Sequence, residues 1–189
     1  MSLMEIDCIM KDSLTAFYQQ LVSGWIGRER EMVSYFAFGF LVPRCSPQSA
    51  IHDPAQIGIE VAVKQMADTA YPKRKNNVCK DLVIWPKPAM NLWNQGQMNA
   101  NIPLCITEWK CVNPSKRLTA ELKLKLKELQ GDTEWLSDFT RRNLNVLGYS
   151  IFVHQQIKPV VLDCRRFYQG NQEPKWLSLG PVEEAGIYA

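Results

Sequence analysis

An apolar run over residues 103–112 is interrupted twice, by Glu108 and by Lys110, and this constrains the chain more than any other feature. Side chains on a strand alternate with a period of two, so Glu108 and Lys110 share one face and Trp109 lies on the other. An acid and a base then occupy a face that a buried strand fills with apolar side chains. Ionisable groups are tolerated inside a protein when they are paired, hydrogen-bonded or bound to a metal. Any fold that accepts this strand must supply such partners.

Two more strands are predicted ahead of it. Residues 56–65 alternate strictly, with Ile57, Ile59, Val61 and Val63 on one face and Gly58, Glu60, Ala62 and Lys64 on the other. Residues 80–85 form the second strand, closed by Pro86, with Asp81 at its start sharing a face with Val83 and Trp85. The connection to the third strand, residues 87–102, is rich in Pro, Asn, Gln and Gly, and connections of that length are often functional. Exposed in such a loop, Trp93 could stack on nucleic-acid bases.

Helices are predicted on both sides of these strands. Asp12 or Ser13 caps a first helix over residues 12–25, with Leu14, Phe17, Tyr18, Leu21, Val22 and Trp25 in one stripe. Residues 28–41 read as a second helix ended by Pro43, although their aromatic content and Gly39 would also suit a strand. Residues 115–130 carry Leu118, Leu122, Leu126 and Leu129 at helical spacing among strong helix formers. Gly131 and Asp132 then break the helix, and Asp132 caps another through Asn143, with Trp135, Leu136, Phe139 and Leu144 apolar. Strands over 148–154, 159–167 and 175–179 complete the order. The expected fold class is α/β in the mixed α+β sense, a central mixed sheet flanked by helices in a single domain over residues 1–189.

Composition narrows the function. With 46% hydrophobic and 22% charged residues the chain is of ordinary globular type, and no apolar stretch is long enough to span a bilayer. Without a secretory pattern, the expected compartment is the cytoplasm and no membrane partner is expected. Six cysteines without a C-x-x-C pair, several of them inside apolar runs as small buried hydrophobes would be, suggest neither a disulfide framework nor a structural zinc site. His52 and His154 are too few and too far apart for a zinc site or a triad, and no glycine-rich phosphate loop is present. The net charge of +3 is modest, but basic residues cluster at Lys73, Arg74 and Lys75 and at Lys116 and Arg117, flanking the second and third strands.

If the second and third strands pair as a hairpin, Asp81 and Glu108 face one space near one end of the sheet. Two carboxylates with water suit a hard octahedral cation such as Mg²⁺, or Mn²⁺. A neighbouring ammonium can orient a water and stabilise charge developing at phosphorus. The chemistry expected of this set is metal-assisted phosphodiester hydrolysis.

Asp81 followed by Glu108-Trp109-Lys110 resembles the PD-(D/E)XK, or restriction-endonuclease-like, nuclease superfamily. Its shared core of helix, three strands, helix and strand is similar in order to residues 28–154, and a nuclease-like core would span about residues 28–167. The resemblance implies a DNA-cleaving hydrolase with Asp81 and Glu108 as metal ligands and Lys110 as the catalytic lysine. It also implies a further acid, for which Glu31 or Glu29 on the second helix and Glu60 on the first strand compete. Lys73, Arg74, Lys75, Lys116 and Arg117 would contact phosphates, and a homodimer is compatible with the family. The chain departs from the motif in one place, with Lys80 where the family has proline ahead of the first acid. Glu121-Leu122-Lys123 and Glu173-Pro174-Lys175 repeat the bare acid-x-Lys pattern, but only Glu108-Trp109-Lys110 interrupts an apolar strand. The alternative is an inactive member of the same fold that serves as a nucleic-acid or protein-binding module.

Overall fold

The β-branched and alternating runs form six strands: β1 (Ile57–Lys64), β2 (Asn77–Ile84), β3 (Cys105–Val112), β4 (Leu147–His154), β5 (Val161–Tyr168) and β6 (Asn171–Leu179). The computed structural model describes residues 3–64, 77–90, 102–112 and 118–181. Within these residues the strands lie side by side in chain order as one mixed sheet. Neighbours are antiparallel except β3 and β4, which run parallel because the helix α3 (Leu118–Arg142) returns the chain between them. Two other helices, α1 (Leu3–Val22) and α2 (Glu29–Phe36), precede the sheet, and α2 continues through a π turn at Ala37–Leu41. The fold is thus a mixed α+β sheet flanked by helices. Among the described residues no helix is long and apolar enough to cross a membrane.

One face of the sheet carries a continuous apolar core. Ile6, Met10, Leu14, Phe17 and Leu21 of α1 and Met32, Val33 and Phe36 of α2 pack on Leu82, Ile84, Cys105, Trp109, Tyr149, Ile151 and Leu162. Phe17 is the hub, with edge-on ring contacts to Trp25, Tyr35, Phe36, Phe40 and Trp109 at centroid separations of 5.6–6.1 Å. The opposite face is covered by α3. There the apolar contacts divide into one cluster around Val83, Trp85, Ile106, Trp135, Leu136 and Phe139 and another around Val112, Leu129, Phe152 and Val161. Gly148 lets α3 come close, since a Cβ there would stand 3.1 Å from Leu136 and 3.3 Å from Thr140.

Several boundaries differ from the sequence expectation. The first helix runs over Leu3–Val22 and not over 12–25, because Ile6 and Met10 extend its buried stripe by two turns. Asp12 is therefore not a cap and reaches Arg44 at 3.6 Å, while Gly24 at φ 104° turns Trp25 out of the helix. Strand β2 starts at Asn77, which places Asp81 in mid-strand. The sheet also runs on to Leu179, beyond the expected core boundary at 167.

The helix α3 passes through Gly131 and Asp132 without a break. A helical glycine costs about 1 kcal/mol relative to alanine, a penalty that packing of Leu129 on one side and Trp135 and Leu136 on the other outweighs. Leu144, beyond the helix, is exposed and not part of the apolar face.

The most consequential difference lies in β1 and β2. Ile57 and Ile59 pack on the α1/α2 core, whereas Val61 and Val63 pack with Trp135 on the α3 side. The strict alternation is reversed at Glu60, whose φ of 51° rotates the strand by a face. A Cβ on Gly58 would collide with Val61, confirming that the two now share a side. The partner strand reverses with it. Val83 and Trp85 belong to the α3-side cluster, while Asp81 lines a cleft beside α2 and so does not share their face.

Candidate active site at the fork between two strands

Strands β2 and β3 pair only through Leu82–Thr107, Val83–Ile106 and Ile84–Cys105. Beyond Thr107 they part, and the amides of β3 lose the carbonyls that a longer ladder would offer. Carboxylates take their place. The Trp109 amide donates to Asp81 Oδ2 at 2.7 Å, and the Cys111 amide donates to Glu29 Oε2 at 3.2 Å. Satisfying buried amides in this way is what draws two acids to the edge of β3.

Asp81 and Glu29 open onto a cleft of about 520 Å³ that is also lined by Arg30, Val33, Ser34, Ile59, Glu60 and Cys79. Glu60 pairs with Arg30 at 2.6 Å. Of the two sequence candidates on α2, Glu31 is exposed, and its carboxylate accepts from the Arg28 amide at 2.7 Å in a capping box. The helix acid that reaches the fork is thus Glu29.

Glu108 and Lys110 point the other way, beneath α3, as alternation requires. Each meets a partner to which the sequence reading gave no role in the site. Glu108 forms an ion pair with Lys80, and both side chains are only 6% exposed. The Lys80 ammonium also lies over the Trp135 ring, 3.6 Å from its centroid. Lys110 Nζ meets Asp132 Oδ2 of α3 at 2.8 Å and donates to the Trp109 carbonyl at 2.9 Å. Further along α3, Lys125 bridges Glu29 at 3.2 Å and Glu128 at 3.1 Å. Strand order on β3 (Ile106, Glu108, Lys110, Val112) and helix order on α3 (Leu129, Asp132, Trp135) set this charged band between the two apolar clusters.

Titration behaviour follows from these neighbours. Burial pushes the Glu108 carboxyl up to about 8; Lys80 pulls it down, and the negative charges of Asp81 and Asp132 push it up again. For Lys110, burial acts to lower the pKa, but the Asp132 carboxylate, helped by Glu29 and Asp81, outweighs it and leaves the ammonium held more firmly than usual. Asp81 is therefore close enough to act electrostatically on both residues of the Glu108-Trp109-Lys110 segment, although its oxygens bond elsewhere.

Asp81 stands at the fork in the cleft beside α2 whereas Glu108 and Lys110 stand at it beneath α3, so the two carboxylates do not face the one space expected of them; Glu29 joins Asp81, and Lys80, Asp132 and Lys125 join the charged band. Glu60 stands at the cleft rim. Lys73, Arg74, Lys75, Lys116, Arg117 and Trp93 lie outside the described residues. Lys80 was visible in sequence as the residue that replaces proline before Asp81, and Glu29 as the alternative to Glu31 for the further acid. Asp132 carried no such signal.

Comparisons with family models, with curated proteins and with solved structures found no match for this chain.

Proposed function

We propose that the fork is the active site of a metal-dependent nuclease that hydrolyses phosphodiester bonds in DNA. The observation that carries this reading is the parting of β2 and β3 at Leu82 and Thr107, which sets Asp81 on one prong and Glu108 and Lys110 on the other. The element order around it, α2-β1-β2-β3-α3-β4, agrees with the order expected of a restriction-endonuclease-like core.

The residues fit a hard divalent cation. Asp81 and Glu108 offer carboxylate oxygens, the donors that Mg²⁺ and Mn²⁺ take. Burial first, and the Asp81 charge to a lesser degree, make an ionised Glu108 costly, and a cation beside its carboxylate would offset that cost. Asp81 and Glu108 would hold the ion, which supplies Lewis acidity and lowers the pKa of a bound water. Asp81 is pre-oriented by the Trp109 amide. Lys110 remains charged because Asp132 holds it, and an ammonium so fixed can orient an attacking water and stabilise charge on phosphate oxygens. Lys73, Arg74, Lys75, Lys116 and Arg117 would grip phosphates, which makes binding steeply salt-dependent.

Purified protein incubated with DNA and Mg²⁺ or Mn²⁺ should cleave it. Asp81→Ala, Glu108→Ala and Lys110→Ala should each lower the rate by roughly 100-fold or more. Cleavage that survives all three unchanged overturns the assignment.

A specific observation favours a second reading, an inactive binding module of the same fold. Both charges of the Glu108-Trp109-Lys110 segment are already neutralised within the protein, Glu108 by Lys80 and Lys110 by Asp132. Intact DNA binding without cation binding or cleavage selects this reading.

A further inference from the structure

We infer that Lys80 is a built-in competitor for the cation, so that its ammonium must leave Glu108 before a divalent ion can bind there. The inference rests on the metal reading of the fork and concerns a residue to which that reading gives no role. Lys80 immediately precedes Asp81, and its side chain crosses to the α3 side to reach the Glu108 carboxylate. It is 94% removed from solvent in the pair, since its side chain is 6% exposed. In such surroundings the attraction between opposite charges and the repulsion between like charges are both far stronger than in water.

A divalent cation on the Glu108 carboxylate would set a second positive charge beside the buried Lys80 ammonium, which is strongly opposed. The Trp135 ring face, 3.6 Å from the Lys80 nitrogen, also holds the ammonium in this paired position by a cation–π contact. Binding of the ion displaces the ammonium from both partners and leaves the carboxylate to the cation. Lys80 thus sets the cation concentration at which the site fills.

Calorimetric titration of the whole chain with MnCl₂ tests this, comparing wild type with Lys80→Gln and Lys80→Arg. Removing the charge in Lys80→Gln should tighten Mn²⁺ binding by at least about tenfold, a coupling of ordinary allosteric size. Lys80→Arg, which keeps the charge, should bind no more tightly than wild type. Adding Glu108→Gln to Lys80→Gln should abolish the gain. Equal or weaker binding by Lys80→Gln overturns the inference and leaves the metal site standing. Absence of Mn²⁺ binding in every variant removes the metal site and the inference together. A second measurement needs no substitution: the side-chain ¹⁵N signal of the buried Lys80 ammonium in wild type should shift or broaden on adding Mg²⁺. Its persistence unchanged at saturating Mg²⁺ overturns the inference even if Lys80→Gln does not fold.

Discussion

The two faces of the sheet solve the problem of burial differently. Under α1 and α2 the contacts are apolar and continuous, with Phe17 and Trp109 at their centre. Under α3 the apolar contacts are cut in two by Lys80, Glu108, Lys110 and Asp132, which are held by ion pairs and a ring face. An apolar face gains from every methylene it buries, roughly 25 cal/mol per Å². A buried ion pair gains little, because the Coulomb attraction is largely spent on desolvating both charges. The first face is therefore the main source of stability, and the charged band on the second adds little to it.

Phe17→Ala should separate the two most strongly, lowering stability by about 3–5 kcal/mol through lost burial and a cavity. On the α3 side, Lys80→Met alone leaves Glu108 buried without its counter-ion and, measured above about pH 8 where Glu108 is ionised, should cost about 3–5 kcal/mol. The paired replacement Lys80→Met with Glu108→Leu should recover most or all of that, since apolar substitution of a whole buried pair is often neutral. Denaturant titration of the four proteins checks the contrast, which breaks if the paired variant loses as much as Phe17→Ala.

A smaller effect is a pH dependence confined to the charged face. Glu108 has a folded-state pKa near 8, raised from an ordinary value of 4.5. The folded state thus binds this proton more tightly than the unfolded chain does. The resulting stability is fully present below about pH 4.5, declines between there and 8, and is absent above. Wild type compared with Glu108→Gln should show this decline as a difference that changes through that window and is flat outside it. A difference that does not change with pH contradicts the assigned environment of Glu108. The smallest effect concerns α3 itself: Gly131→Ala should raise stability by about 1 kcal/mol if the helix is continuous there, and lower it if the chain turns at Gly131.

Much of the fold was legible because period-two and helical patterns report burial directly. The three strands ahead of α3 and most apolar positions of α1 and α2 lie where their spacing puts them, with shifted ends, while Val22 is exposed and Trp25 falls beyond α1. What a pattern of period two cannot register is a single backbone rotation. Glu60 adopts φ 51° and moves Val61 and Val63 to the opposite face, with no change in their spacing. The position of Asp81 beside α2 and not beside Val83 follows from the same rotation. The carboxyl residues were found by type and their partners were not. Ion pairs such as Lys110–Asp132 depend on how α3 lies across the sheet, which no local spacing encodes. The choice of Glu29 over Glu31, both named in the sequence, was readable in principle, because a glutamate three residues after the N-cap is a capping position.

The central claim is that the parted strands form a divalent-cation site, and anomalous diffraction from crystals grown with MnCl₂ tests it most directly. The account predicts an anomalous peak in the fork, bonded to carboxylate oxygens of Asp81 and Glu108, with the Lys80 ammonium displaced from Glu108. Crystals at saturating Mn²⁺ that show no peak there and retain the Lys80–Glu108 pair would contradict it.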